Sequence, residues 1–572
     1  MLTLFAGRMV QLQGMESGYY KTLANKEKLT TIDLPADRGT IYGANGQILA
    51  MTVETYTVTA DPPQIPADQL ASVAAKAAGP LGMTADQVLY ALKHPAPHSP
   101  QYVKLATGIS AENETTLAAL DLPGIYSAGS FARAYPNGTA TEDVVGLSHI
   151  TNPDSGVISG YSGLEETYNK LLTGTAGKEQ VEISSTGEQI PLAGTQDTPA
   201  VNGESIKTTI IPALQLQAQQ ACEAEVEKSK AVNCSVVIEQ PKTGAILAMA
   251  QWPNVAGTDI ADQNLFAPGS TAKVITAAAA FEKGGKTPMS TYHIPSQIYR
   301  GGQYIRDAEW SPGEHYTIAG IIANSSNIGM SQVVESVPPQ TQYAYLKNFG
   351  LGEPTGLGLP GESPSVAYGP AALPPVSNWA ADERYTLSYG QGVDVNAVQM
   401  ASVYATIANG GVRVQPTLIE GTYNAAGQYS AAKASPSKRV IQAKTASELI
   451  SILQQVPAVD DGADQRWGDI AGYAIAAKTG TSSESATLPG EKACPAGNPL
   501  CIHGSSYIGM APGNNPGVVV AVNVQDPKTD TDYFGDEVAG PVFYSVMNAA
   551  LQALQIQPQP GLAAPDVRLN AR

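Results

Sequence analysis

"CSVVIEQPKTGAILAMAQ", residues 234–251, holds two apolar runs separated by Pro-Lys-Thr-Gly. It reads as two strands joined by a turn, with Pro241 presetting the bend and Gly244 free to take a positive φ. Lys242-Thr243-Gly244 is therefore turn punctuation. The same triplet returns as Lys478-Thr479-Gly480 in "AIAAKTGTSS", residues 474–483, at the end of another apolar strand. "SSYIGMAPG" (505–513) and "PGVVVAVNVQ" (516–525) supply further strands. "STAKVITAAAAFEKGG" (270–285), "TIAGIIANSS" (317–326) and "VNAVQMASVYATIANGG" (395–411) read as helices. An antiparallel sheet flanked by helices follows, the α+β class.

Upstream, "ESIKTTIIPALQLQAQQACEAEVEKS" (204–229) gives a strand and then a strongly helical run, which marks entry into this domain near Gly203. Residues 1–205 are a mosaic of short extended runs, a few helical stretches and many Gly, Pro and Asn breaks, read as an irregular non-catalytic module. The second domain is expected over 206–557. The Gln- and Pro-rich stretch 558–572 reads as a mobile tail.

At 572 residues the chain has room for several domains, and 43% hydrophobic against 15% charged residues fits a globular protein. A formal charge of −18 without clustered Lys or Arg argues against a nucleic-acid partner. No run of 18 apolar residues exists, so no complete transmembrane helix is present in this sequence. Its start, "MLTLFAGRMVQLQ", reads as the outer end of a membrane helix or as a short amphipathic helix packed on the body.

The four cysteines fall in two close pairs, Cys222 with Cys234 and Cys494 with Cys501, a spacing suited to local disulfides and an oxidising compartment. The rival reading of "CPAGNPLCIH" (494–503) is a zinc site using Cys494, Cys501 and His503, which lacks an obvious fourth ligand. No metal or cofactor is expected.

The chemistry is expected in "FAPGSTAKVITAAAAFEKGG", residues 266–285. Ser270 follows Pro268-Gly269 at the first turn of a helix, and Lys273, three residues on, shares its face. A serine hydroxyl needs a base to become a nucleophile, and a lysine partly desolvated beside a helix N-terminus can serve. S-x-x-K alone is weak, since "SPSK" (435–438) also matches it from a Pro-broken polar stretch. "GLGLPG" (356–361) has the spacing of a dinucleotide loop, but Pro360 lies inside it and no strand-to-helix context surrounds it. Neither H-E-x-x-H nor G-x-S-x-G occurs.

Order supplies the specificity. After Ser270 and Lys273 come Ser325-Ser326-Asn327 at the end of a helical run, then Lys478-Thr479-Gly480-Thr481 at the end of a strand. In this order the three elements resemble the penicilloyl-serine transferases. Closest are the class B penicillin-binding proteins, monofunctional peptidoglycan D,D-transpeptidases. "RGTIYGANGQILA" (38–50), "FARAYPNG" (131–138) and "GYSGLEETYNKLLTG" (160–174) resemble that family's pedestal motifs. "FGLGEPTGLGLPGE" (349–362) and "YGQGVDVNAVQMASVYATIANGG" (389–411) resemble signature stretches of its catalytic domain. Two departures stand out. Gly43-Ala44 precede Asn45 where the family usually has Asp-Arg, which puts a pedestal salt bridge in doubt, and Ala477 precedes Lys478 where Gly is frequent.

The resemblance implies an antiparallel sheet flanked by helices with an all-helical subdomain, preceded by an elongated mixed α/β pedestal. It implies a Ser270 nucleophile, Lys273 as its base, and Ser325 with Asn327 relaying the proton and orienting substrate. Lys478 would hold the terminal carboxylate with help from Thr479 and Thr481, Gly480 would line the binding strand, and the backbone N–H groups of Ser270 and Thr481 would form the oxyanion hole. The implied partners are D-Ala-D-Ala stem peptides, β-lactams and a membrane glycan polymerase of the SEDS type. The implied location is the outer face of the cytoplasmic membrane, held by an N-terminal helix largely missing from this sequence. "GRMVQLQ" (7–13) leans toward a role in division. The rivals are a D,D-carboxypeptidase or β-lactamase, in which water ends the cycle, and a β-lactam sensor or silent scaffold.

Overall fold

The computed structural model describes residues 29–34, 36–152, 157–183, 189–190, 198–255, 257–308, 313–362, 373–460, 467–483, 503–528, 534–559 and 564–570. The quoted hairpin is β1 (Asn233–Gln240) and β2 (Ala245–Trp252), paired antiparallel, with Gly244 at φ 72° in the turn between them. Adding β3 (Ala476–Ser483), β4 (His503–Ala511) and β5 (Val518–Gln525) gives a five-stranded antiparallel sheet in the order β2-β1-β5-β4-β3.

β1, β2 and β5 read as largely apolar runs because both faces are covered. Successive residues go to opposite cores, as a period of two requires. Val236 and Ile238 join Leu214 and Ala218 of α1 (Pro212–Ser229), while Val237 joins Val274 and Ile275 of α2 (Lys273–Lys283) on the other side. Around α2 stand α3 (Ile318–Ala323), α4 (Asn327–Val334) and the fully apolar face of α5 (Ala397–Ala408). The sheet face toward α1 also carries α6 (Gly535–Ala553), whose Val542, Phe543, Val546 and Met547 pack onto it.

The N-terminal module is built on the long strand Ile48–Ala60, which pairs with Ile125–Ala134 and Val103–Ile109. The helices Leu70–Leu81, Ala85–Lys93 and Ala111–Ala118 close a small core of their own against it. Gly43-Ala44 leave the buried charges of this module in place: Arg38 Nε lies 2.6 Å and Arg133 Nε 2.7 Å from the two oxygens of Glu165, all nearly sealed from water.

Among the described residues, no linker separates the modules. The strand Ser205–Thr208 runs parallel to Ile41–Tyr42 on one side and antiparallel to Ile419–Tyr423 on the other, so one sheet crosses from the first module into the second. Leu164 and Leu172 belong to the same core as the helices around α2.

Residues 564–570 are not a mobile tail. Leu569 O accepts the Thr317 N–H at 2.9 Å, Arg568 O accepts the Thr317 hydroxyl at 2.7 Å, and Tyr316 and Asn570 form a β-bridge. Cys222 of α1 and Cys234 of β1 are joined by a disulfide. Cys494, Cys501 and the sequence start at 1–28 lie outside the described residues. Among the described residues, no helix is long and apolar enough to cross a membrane.

Candidate active site

Pro268 and Gly269 turn the chain out of a bridge between Phe266 and Val395 and into a 3-10 turn, Gly269–Ala272, that runs straight into α2. Gly269 is required here. It sits at φ 53°, and a Cβ on it would come within 2.8 Å of Thr481 O. That close approach presses the nucleophile turn against β3, one residue from the Ser270 amide. The turn is held from behind as well. Thr271 donates its hydroxyl to Pro268 O at 2.6 Å, and Tyr404 of α5 donates to Thr271 O at 3.0 Å. Burial pushes the Tyr404 phenol well above its ordinary pKa, so it stays a neutral donor.

Lys273 is the first residue of α2 and is fully buried, while Ser270 is partly open. A buried ammonium is costly without partners. Here Lys273 Nζ lies 3.0 Å from Ser270 Oγ and 3.4 Å from Ser325 Oγ, and it donates to Ser325 O. The spacing of three residues thus does what its helical geometry predicts.

Ser325 lies between α3 and α4 with a left-handed backbone, φ 56°. Ser326 caps α4, its Oγ accepting the Gly329 N–H at 2.9 Å, and Asn327 opens that helix with a partly exposed side chain. Asp307, which the sequence reading passed over, holds this turn from outside. Its two oxygens take the Ser326 hydroxyl at 2.6 Å and the Ile328 N–H at 2.9 Å. No signal in the sequence marks it, since Glu309 and Glu314 lie nearer to the serine pair and no periodicity singles out Asp307.

The third element lies on β3, in register with β4: Lys478 faces Ile508, Thr479 faces Tyr507, Gly480 faces Ser506 and Thr481 faces Ser505. Ala476 belongs to the core around α2, so alternation puts Lys478 and Gly480 on that same face, toward the nucleophile turn. A Cβ on Gly480 would come within 2.8 Å of Pro268 O, which fixes the contact. Lys478 is fully buried with Nζ 3.2 Å from Thr479 Oγ1. Thr481 points the other way, its Oγ1 accepting the Gly535 N–H at the start of α6 at 3.1 Å.

The structure therefore gathers all three motif segments around Ser270. Lys242 stays exposed in the β1–β2 turn, and of the second S-x-x-K copy Ser435 lies in a loop while Lys438 lies on an exposed short strand. The glycines at 356, 358 and 361 take positive φ in a loop, with no strand-to-helix turn to cradle a phosphate.

A serine beside a buried lysine that also meets a second serine, on a turn packed against the strand bearing a second buried lysine, is the arrangement of a serine acyltransferase site. Residues 234–548 match the penicillin binding protein transpeptidase domain, and residues 33–208 match the penicillin-binding protein dimerisation domain. Penicillin-binding protein PbpB of Mycolicibacterium smegmatis is 30% identical, covering 95% of this chain and 87% of its own. Peptidoglycan D,D-transpeptidase FtsI of Escherichia coli is 28% identical over 97% of this chain and 90% of its own. The structure of penicillin-binding protein 3 of Mycobacterium tuberculosis complexed with aztreonam superposes with a TM-score of 0.68 at 25% identity, covering 94% of this chain and all of that one. The chain belongs to the penicillin-binding protein transpeptidase family, and to its class B members, which carry a pedestal module ahead of the catalytic one.

Proposed function

We propose that this protein is a peptidoglycan D,D-transpeptidase that crosslinks stem peptides through an acyl-enzyme on Ser270 and is inhibited by β-lactams. The observation that carries the reading is the 3.0 Å contact between Ser270 Oγ and the buried Lys273 Nζ. Lys273, in its neutral form, takes the hydroxyl proton as Ser270 Oγ attacks the carbonyl carbon of the penultimate D-alanine. The developing oxyanion is met by the N–H groups of Ser270 and Thr481, each such donor typically worth about 10²- to 10³-fold in rate. The proton passes through Ser325 to the departing nitrogen, the C–N bond breaks, and terminal D-alanine leaves. Asn327 orients the peptide, while Lys478 and Thr479 hold the terminal carboxylate along the strand that includes Gly480; Thr481 acts through its backbone N–H, because its side chain is turned to the Gly535 N–H, against the expectation that its hydroxyl helps hold the carboxylate. An amine of a neighbouring stem then attacks the ester, giving up its proton to the same base, and the new amide releases Ser270.

In this reading residues 1–205 form the pedestal, 206–557 the catalytic unit and 558–572 its C-terminal extension. The enzyme works at the outer face of the cytoplasmic membrane, anchored through an N-terminal helix and paired with a glycan polymerase of the SEDS type. Similarity to a protein named FtsI supports a role in division.

The test is partitioning of the acyl-enzyme. A thioester analogue of an acyl-D-Ala-D-Ala peptide, offered with a D-amino acid as acceptor, should yield the aminolysis product in excess of the hydrolysis product. Hydrolysis that ignores the acceptor would point to a carboxypeptidase, and no turnover with either nucleophile would point to a sensor or scaffold.

A further inference from the structure

Two short strands, Ile298–Arg300 and Gln303–Ile305, form a hairpin that ends two residues before Asp307. Asp307 then reaches across to the turn between α3 and α4. Its Oδ2 accepts the Ser326 hydroxyl at 2.6 Å and its Oδ1 accepts the Ile328 N–H at 2.9 Å. On the near side of the turn, Ile322 O accepts the Ser325 N–H at 3.2 Å and Ile321 O accepts the Ser326 N–H at 2.9 Å. Ser325 is thus pinned from both sides in a left-handed conformation, φ 56°, that a serine keeps only when its neighbours impose it.

The consequence lies with Lys273. Its Nζ donates to the carbonyl of that pinned Ser325 and lies 3.4 Å from the Ser325 hydroxyl. Where the Ser325 oxygens sit decides where Lys273 Nζ points. We propose that Asp307 is a positioning residue for acyl transfer, its carboxylate gripping Ser326 and Ile328 so that Ser325 meets Lys273 at the right place. A carboxylate suits the task. Two charge-assisted hydrogen bonds are stronger than neutral ones, and the N-terminus of α4 favours negative charge. An amide at this position keeps one acceptor oxygen, so with that oxygen on the Ile328 N–H the Ser326 hydroxyl would face an N–H donor and have to turn from donor to acceptor, and both charge-assisted bonds would become neutral ones.

The proposal rests on Ser270 and Lys273 being nucleophile and base, so its test reads both. Stopped-flow acylation of the full chain by benzylpenicillin separates the affinity of the first, noncovalent complex from the acylation rate constant, and titration with the same drug counts competent sites. Asp307→Asn is expected to lower the acylation rate constant at least about 10-fold while the affinity and the number of titratable sites hold. Asp307→Glu keeps the charge and both acceptors one methylene further out, and should fall between the Asn variant and the native chain. An Asn variant that acylates at the native rate, or that loses titratable sites while the survivors react at the native rate, would overturn the proposal. If the Asn variant does not accumulate, the Glu variant decides: a lower rate at unchanged affinity supports the assignment, and a native rate overturns it. A native chain that takes no β-lactam would instead remove the reading of Ser270 and Lys273 on which the proposal stands.

Discussion

Two lysines followed by Thr-Gly sit in opposite surroundings. Lys242 is exposed in the turn between β1 and β2, whereas Lys478 is fully buried on the face of β3 that meets the nucleophile turn. Lys242→Ala should change stability by no more than about 0.5 kcal/mol and leave acylation unaltered. Lys478→Ala should slow benzylpenicillin acylation by at least about 30-fold, because losing one partner of a buried charge pair with the carboxylate typically costs about 2 kcal/mol or more. Gel labelling of both variants checks this, and a slow Lys242 variant would mean that the wrong strand has been assigned. Contacts of this kind are legible where they are local. Ser270 and Lys273 follow from helical spacing, and the contrast between the two triplets follows from turn against strand. Asp307 was not legible, because it touches Ser326 from 19 residues away through no repeating pattern. Tyr404, 133 residues from Thr271, was hidden for the same reason.

Among the elements, the β1–β2 hairpin and α2 could be read because their periods and punctuation agree: Pro241 and Gly244 at the turn, Gly284 after the helix. The C-terminal stretch could not. Its sequence carries the residues of a mobile end, but it docks through backbone groups onto Tyr316 and Thr317, and backbone pairing leaves no mark in side-chain composition. The Cys222–Cys234 disulfide ties α1 to β1 across a separation of 12 residues. By loop-closure entropy it should stabilise the fold by about 2 to 3 kcal/mol. Urea unfolding of a Cys222→Ala, Cys234→Ala double variant should show that loss, and an unchanged midpoint would show that packing alone holds the two elements.

At the scale of the whole molecule the two modules share a sheet and a core, and three buried acids lie where they meet. Asp143 comes from the pedestal, and Asp259 and Asp262 from the short helix segment before the nucleophile turn. Both oxygens of Asp262 and Oδ2 of Asp259 have no hydrogen-bond partner among the described residues. Burial first, and for Asp143 and Asp262 the neighbouring Asp259 next, raises all three, Asp259 to about 7 and Asp262 to about 9. The folded chain therefore holds protons that the unfolded chain releases near the ordinary carboxylate pKa. The stability they contribute is complete below that pKa and is lost as pH rises through the folded values. Between about pH 6 and about pH 9 the melting temperature of the native chain should fall more than that of Asp262→Asn, and parallel profiles would show that the cluster does not titrate with folding. The central claim, that Ser270 is the acylated nucleophile, is met most directly by mass spectrometry of the intact protein after incubation with benzylpenicillin. The native chain should gain one drug mass, mapped to Ser270 and persisting for many minutes, and Ser270→Ala should gain none. An unlabelled native chain, or a Ser270→Ala chain labelled to the same extent, would contradict the account.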